Sequence, residues 1–188
     1  MNLTEVKFGG FGGQGVILSG IIIGRAAAIY DDKYATLTQS FGPEARGSAC
    51  SAAVIISDEP ITYPYVTHPD ILVVMSQDAY ARFSPELKPS GLLLYEEDLV
   101  RLDRSPPRQK HYCVPATRFA EQLGRRVVLN IVMVGFFAAI TDVVGAEALR
   151  RSVEASVPAG TEALNLQAFE RGYEYGTKLR TAKSGSTG

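Results

Sequence analysis

Short runs of apolar and β-branched residues alternate with longer apolar or amphipathic runs over the first two thirds of the chain. The short runs predict strands, several of them buried on both faces as in a parallel sheet. We place these strands at Val6–Phe8, Tyr34–Phe41, Cys50–Ser57, Ile71–Met75, Gly91–Tyr95 and His111–Val114. The longer runs predict helices at Val16–Tyr30, Gln77–Phe83, Ala116–Leu123, Val127–Val143, Ala146–Ala155 and Thr161–Leu179. This order predicts an α/β fold with a largely parallel sheet and a helical C-terminal third.

The pattern shows no internal repeat and no clear domain boundary. For a chain of 188 residues, this predicts a single domain over residues 1–182. The remaining residues, 183–188, are small and polar, and we expect them to form a disordered tail.

Two runs are apolar enough to be considered as membrane helices, Val16–Tyr30 and Val127–Thr141. Each is about 15 residues long, whereas a span needs ~20. Arg25 interrupts the first run and Asn130 the second. We therefore expect helices buried within protein, and no membrane association.

Charge and cysteine content narrow the function further. A net charge of −1 argues against nucleic-acid binding, which needs an excess of Lys and Arg on one face. Cys50, Cys113, His68 and His111 lack the close spacing of zinc or iron–sulfur ligands, so we expect no metal on this chain. Residues 1–7 have no signal-peptide pattern and cysteines are few, which together favour the cytoplasm.

Five of the 18 glycines fall in one segment, between the first strand and the first helix. Gly10, Gly12 and Gly15 satisfy the pattern G-x-G-x-x-G in the context that a Rossmann-like first βα turn requires. The first turn of a helix leaves backbone N–H groups unpaired at its positive end, and glycines let an anion approach them. The candidate binding residues are therefore Gly10, Phe11, Gly12, Gly13, Gln14 and Gly15. The alternative is a tight turn that binds nothing. We expect neither a strand nor a helix interior in this segment, because glycine is unfavourable in both.

A dinucleotide enzyme also needs an acidic residue at the end of its second strand, to hold the ribose hydroxyls. Asp31 and Asp32 precede the predicted strand, and its far end, residues 38–40, carries no carboxylate. The absence of a carboxylate at this position argues against NAD binding. No Lys-Ser/Thr pair follows the glycines, so the segment is not an ATP or GTP phosphate loop.

Two further polar residues are candidates for ligand binding, and each also has a purely structural interpretation. Arg46 lies in a glycine-flanked turn and could form a bidentate bond with a phosphate, or it could be a solvated charge near Glu44. Asn130 is a polar side chain in an apolar helix, where it could contact a ligand or serve helix packing.

Taken together, the motifs resemble the gamma subunit, or gamma domain, of the 2-oxoacid:ferredoxin oxidoreductases. The resemblance spans about Val6 to Tyr175. Its matching residues are Gly9–Gly15, Gly42–Gly47, Pro69–Val73, Asn130 with Val132–Gly135, and Asn165, Ala168 and Gly172–Tyr173. The run Gly-Pro-Glu-Ala-Arg-Gly looks most like the 2-oxoglutarate enzyme. Ser48 departs from the family, which usually has a second glycine there.

The resemblance implies a function that spacing alone does not. Enzymes of this family decarboxylate a 2-oxoacid oxidatively, or run in reverse, and transfer the acyl group to coenzyme A. Their thiamine diphosphate and iron–sulfur clusters lie on alpha, beta and sometimes delta subunits, and electrons leave to ferredoxin. We would therefore expect this chain to assemble the complex and to contribute to the coenzyme A site, without activity alone.

Three hypotheses are compatible with the sequence. In the first, the glycine loop and Arg46 bind the phosphates of coenzyme A, with Asn130 nearby. In the second, the chain is a free-standing NAD(P)-dependent oxidoreductase. In the third, it is a purely structural subunit. The two strongly apolar helices would fit an extensive subunit interface.

Overall fold

The structure is a computed structural model that describes residues 3–41, 49–102 and 109–184. Within these ranges the strands are β1 (Leu3–Phe11), β2 (Tyr34–Ser40), β3 (Ala49–Ser57), β4 (Ile71–Val74), β5 (Leu92–Glu96) and β6 (Lys110–Val114). The α-helices are α1 (Val16–Arg25), α2 (Gln77–Phe83), α3 (Ala116–Gln122), α4 (Leu129–Ile140), α5 (Ala146–Ser156) and α6 (Glu162–Ser184). The predicted α/β fold with a helical C-terminal third is confirmed.

The strands form one sheet in the order β2-β3-β1-β4-β5-β6. β1, β4, β5 and β6 are mutually parallel, while β3 runs antiparallel to both of its neighbours. The sheet is therefore mostly parallel, as predicted. This direction of β3 leaves the carboxyl ends of β1 and β2 at the same edge of the sheet as the start of β3.

The first strand extends further than the sequence pattern indicated. Gly9, Gly10 and Phe11 belong to β1 and pair with residues 51, 50 and 49 of β3. The expectation that these glycines cannot continue a strand was wrong. β1 lies between two partner strands, and its ladder bonds outweigh the low strand propensity of glycine.

Helices cover both faces of the sheet. On one face, α1 and α4 close the main core, where the Phe8 and Phe137 rings lie 6.1 Å apart. On the other face, α2 covers β4 and β5 in a smaller cluster. α6 packs along α4.

The most apolar helix, α4, is enclosed by the chain itself. All but the last of its residues are buried. Its backbone approaches α6 so closely that a Cβ at Gly135 would lie 2.0 Å from the Phe169 carbonyl oxygen. Burial within this chain therefore explains the composition of α4, and no subunit contact is needed for it. α1 differs, because Ile21 remains 39% exposed.

Several predicted boundaries shift. α1 ends at Arg25 and continues as one π-helical segment, Ala26–Tyr30. α6 ends at Ser184, whereas the sequence pattern predicted a helix that ends at Leu179. In the part of the chain that the structure describes, no helix combines the length and apolarity that a membrane crossing requires.

Candidate anion-binding site

The glycine segment connects the carboxyl end of β1 to the amino end of α1. The N–H of Gln14 donates to the Phe11 carbonyl over 3.1 Å, which closes a tight turn. Gly13 and Gly15 then adopt left-handed backbone conformations, with φ of 92° and 72°. Gly15 is the N-cap of α1, and no side chain caps this helix end. The first N–H groups of α1 thus stand at the carboxyl edge of the sheet, where α/β proteins commonly bind ligands.

The side chain of Gln14 holds the turn in place. Its Oε1 accepts a 2.7 Å hydrogen bond from the Phe11 N–H, and its Nε2 donates to the Met75 carbonyl over 2.9 Å. Gln14 therefore ties the loop to the end of β4. The structure assigns this residue a positioning role, while a direct contact with an anion stays a prediction.

The positions of the motif require glycine for different physical reasons. A Cβ at Gly10 would lie 2.7 Å from the Gln14 Oε1, and a Cβ at Gly15 would lie 2.4 Å from the Asn130 amide nitrogen. These two glycines are required by contacts inside the chain. A Cβ at Gly13 would meet nothing within 4 Å. Gly12 is exposed. The open space for a ligand is therefore shown at Gly13, and Gly12 beside it is exposed to solvent.

Asn130 lies under the loop, 2% exposed. Its Nδ2 donates to the Gly15 carbonyl over 3.2 Å. The same carbonyl accepts bonds from the backbone N–H and the hydroxyl of Ser19. Three donors thus fix the orientation of the Gly15 peptide. The packing role that sequence reasoning considered for Asn130 is present in the structure, and its contact with a ligand remains a prediction.

A pocket of about 380 Å³ opens beside the loop. It is lined by Gly13, Gln14, Leu99, Arg126, Val127 and Leu129. The Arg126 side chain is 65% exposed, and its ion-pair partner among the described residues is Glu121, at a long 4.0 Å. An exposed guanidinium beside the amino end of a helix suits a phosphate. Sequence reasoning missed Arg126, because the pattern gave no indication that the start of α4 faces the loop.

Arg46, the other predicted cation, lies outside the described residues. The segment that contains it leaves β2 after Ser40 and returns at Ala49, which pairs with Phe11. Both ends of this segment are therefore at the same edge of the sheet as the glycine loop. Burial raises the pKa of the nearby Cys50 thiol, so this group stays protonated at neutral pH.

Two acidic residues, Asp31 and Glu96, have partners within the chain. Asp31 accepts a hydrogen bond from the Gly145 N–H and pairs with Lys33. Glu96, fully buried at the end of β5, accepts hydrogen bonds from the N–H groups of Leu99 and Thr117. Its role as a cap was not predicted, because the sequence pattern does not show which N–H groups a carboxylate will face. Among the described residues, no group of three or more His, Cys, Asp or Glu could hold a metal ion.

A mostly parallel six-stranded sheet with helices on both faces and a glycine-rich first βα turn defines the chain as an α/β protein with a Rossmann-like first turn. The comparisons identify the family within this class. Residues 5–175 match the model of the pyruvate ferredoxin/flavodoxin oxidoreductase family, so the chain belongs to that family.

Relatives are similar over nearly the whole chain. The 2-oxoglutarate synthase subunit KorC of Methanocaldococcus jannaschii is 49% identical over 177 residues, which cover 93% of this chain and 95% of that one. The keto/oxoacid ferredoxin oxidoreductase gamma subunit of Geobacter sulfurreducens superimposes with a TM-score of 0.85 at 38% identity, covering 95% of this chain and 98% of that one.

A third comparison concerns a longer chain. The 2-oxoglutarate:ferredoxin oxidoreductase of Magnetococcus marinus, solved with 2-oxoglutarate, coenzyme A and succinyl-CoA bound, matches with a TM-score of 0.84 and 21% identity. The match covers 95% of this chain but 32% of that one. At this identity the likeness establishes the shared fold.

Proposed function

We propose that this chain is the gamma subunit of a 2-oxoglutarate:ferredoxin oxidoreductase and that its glycine loop binds the phosphates of coenzyme A. The observation that carries the first part is the 49% identity to a 2-oxoglutarate synthase subunit along nearly the full length of both chains. Thiamine diphosphate and the iron–sulfur clusters would lie on alpha, beta and, where present, delta subunits. Ferredoxin would accept electrons from those subunits in the cytoplasm.

The phosphate site is supported by the geometry of the loop. The Gly13 position leaves open space where a side chain would stand, and α1 begins without a side-chain cap. Arg126 lines the adjoining pocket. An anion placed there meets backbone donors, the positive end of a helix and the exposed guanidinium of Arg126, the combination that phosphates favour.

Subunit assembly is supported by the surface of α1. Ile21 on this helix and Ile29 just beyond it are 39% and 60% exposed. Such aliphatic side chains are stabilised when a partner subunit covers them.

The test is calorimetry of coenzyme A binding to the assembled complex. Gly12→Asp places a negative charge in the open part of the loop, and we expect it to weaken coenzyme A binding about tenfold or more. We expect Arg46→Ala to weaken it as well. Gly12→Ala is the matched control, because Gly12 does not have a positive φ and alanine adds no charge. We expect it to bind within about twofold of wild type.

Unchanged affinity in both Gly12→Asp and Arg46→Ala would overturn the phosphate site and leave a purely structural subunit. Tight binding of NADH by the chain alone would instead favour the free-standing NAD(P) enzyme. The missing carboxylate at the end of β2 argues against that outcome.

A further inference from the structure

β2 forms one edge of the sheet, and its outer side has no strand partner among residues 3–41, 49–102 and 109–184. Loops within these ranges form no backbone hydrogen bond with residues 34–40. In an antiparallel pair, successive residues direct both of their backbone groups alternately toward the partner and away from it. Because β2 pairs with β3 along its whole length, about half of its residues direct their N–H and C=O groups outward. This row of donors and acceptors can pair with a further strand.

The sequence of β2 lacks the features that usually prevent pairing at a sheet edge. Native proteins protect their edges with charged side chains, especially Lys, with Pro or with a bulge. The seven residues of β2, Tyr-Ala-Thr-Leu-Thr-Gln-Ser, include no charge and no Pro, and their register with β3 is continuous. The opposite edge strand, β6, is shorter, begins with the exposed Lys110 and packs against α6. The protection is therefore found at β6 and is absent from β2.

The residues of β2 are complementary to those of a second copy of the same strand. In an antiparallel pair centred on Leu37, Thr36 of one copy faces Thr38 of the other, and Tyr34 faces Ser40. Cross-strand pairs of threonine are favourable, and none of these pairs brings like charges together. A two-fold axis forms each of these contacts twice. The strand therefore matches itself better than a strand that has charges at these positions.

Exposed apolar side chains belong to the elements beside this edge. α1 and the π-helical segment Ala26–Tyr30 both pack on β2. They carry Ile21 and Ile29, which are 39% and 60% exposed, and Tyr34 at the start of β2 is 50% exposed. A stable dimer buries about 800 Å² on each partner, so strand pairing needs apolar side chains around it. These three residues supply such area beside the edge.

We propose that two copies of this chain associate through β2, antiparallel and centred on Leu37, so that their two sheets join into one. The β2 edges form main-chain hydrogen bonds with each other. The two-fold axis is perpendicular to the joined sheet, which keeps both α1 helices on the same face and brings their aliphatic side chains together. The inference goes beyond the proposed function and does not depend on the coenzyme A site.

Sedimentation equilibrium of the full-length chain measures this association, and we expect a mass twice the 20.3 kDa of one chain. Two double variants at the exposed residues Tyr34 and Ser40 test the register. Tyr34→Lys/Ser40→Lys places like charges opposite each other twice and should raise the dissociation constant of the dimer about tenfold or more. Tyr34→Lys/Ser40→Glu is the matched control. It places opposite charges there and should dimerise about tenfold more tightly than the first variant.

The two substituted positions of one chain are about 20 Å apart along the strand, too far to interact with each other. A difference between the variants therefore reports contact between copies, and it should shrink in about 1 M salt. A wild-type chain that stays monomeric at about 100 μM would overturn the inference. Equal dissociation constants for the two variants would also overturn it, because association would then use another surface.

Discussion

A methyl group added at Gly135 would have its carbon 2.0 Å from the Phe169 carbonyl oxygen, and one added at Gly172 would be 2.0 Å from the Val132 carbonyl oxygen. Both obstacles are backbone atoms inside helices, so neither can rotate away. An ordinary contact of this kind needs roughly 3.2 Å or more. Gly135→Ala therefore forces α4 and α6 apart by about 1 Å.

The expected cost follows from opposing terms. Alanine gains about 1 kcal/mol over glycine inside a helix. Forced overpacking usually costs about 1–3 kcal/mol and occasionally more. A gap of 0.5–1 Å also forfeits about a quarter to a half of the dispersion energy of the atoms that separate. The first two terms leave a net loss of about 0–2 kcal/mol, and the lost dispersion energy adds to it because α4 is buried along nearly its whole length. We therefore expect Gly135→Ala to lower the free energy of unfolding by about 1–3 kcal/mol.

Urea unfolding of the purified chain, followed by circular dichroism, measures this free energy. Gly24→Ala in α1 is the matched control, since the nearest atom to its added carbon is Val54 Cγ1 at 3.8 Å, an ordinary contact. It should raise stability by up to about 1 kcal/mol. The double variant Gly135→Ala/Gly172→Ala should lose less than the sum of the single losses, because one displacement relieves both overlaps. Gly135→Ala as stable as wild type, beside a stabilised Gly24→Ala, would refute the close packing.

Three further perturbations test other parts of the structure. Asn130→Asp puts a carboxylate oxygen against the Gly15 carbonyl in a buried position, so thermal unfolding should show a loss of about 3 kcal/mol, and a change below about 0.5 kcal/mol would contradict the assigned bond. Gln14→Leu removes both bonds that hold the loop, and the complex should lose about tenfold in coenzyme A affinity by calorimetry, whereas unchanged affinity would show that the loop needs no fixing. Burial and the hydrogen bond with Cys113 raise the pKa of Tyr95 to about 12, against 10.0 for a free tyrosine. Tyr95 ionises at lower pH in the unfolded chain than in the folded chain. The contribution of Tyr95 to the free energy of unfolding is therefore full below pH 10 and declines as the pH rises to about 12. Absorbance titration of wild type should contain a late tyrosine that Tyr95→Phe removes, and an identical curve for both would contradict the assignment.

Local sequence patterns predicted most of the strands and helices, because the apolar positions in these segments are the ones that the fold buries. β4 is a continuous apolar run and all four of its residues are buried. α1 begins at Val16, directly after the last glycine, as the glycine spacing predicts. The direction of β3 was not predictable in this way. A strand buried on both faces has the same apolar pattern whether its neighbours run parallel or antiparallel to it.

The candidate site was predicted in part, and the residues show why. The position of the loop follows from the order strand, glycines, helix, which is local. The roles of Gln14 and Asn130 depend on partners at Met75 and Gly15, which are 61 and 115 positions away in sequence. No pattern within the loop contains that information. Arg126 lies beside the loop for the same reason, because it precedes α4, and α4 packs against α1.

The G-x-G-x-x-G pattern is weak support for a ligand, because contacts within the chain already account for glycine at two of its three positions. A side chain at Gly15 would collide with Asn130, and one at Gly10 would collide with Gln14. A loss of coenzyme A binding after substitution at either position would therefore not distinguish a ligand contact from a distorted loop. Gly12 is exposed and lacks a positive φ, so a charge placed there acts on whatever approaches the loop from outside. Gly12→Asp is for this reason the substitution that separates a phosphate site from a tight turn.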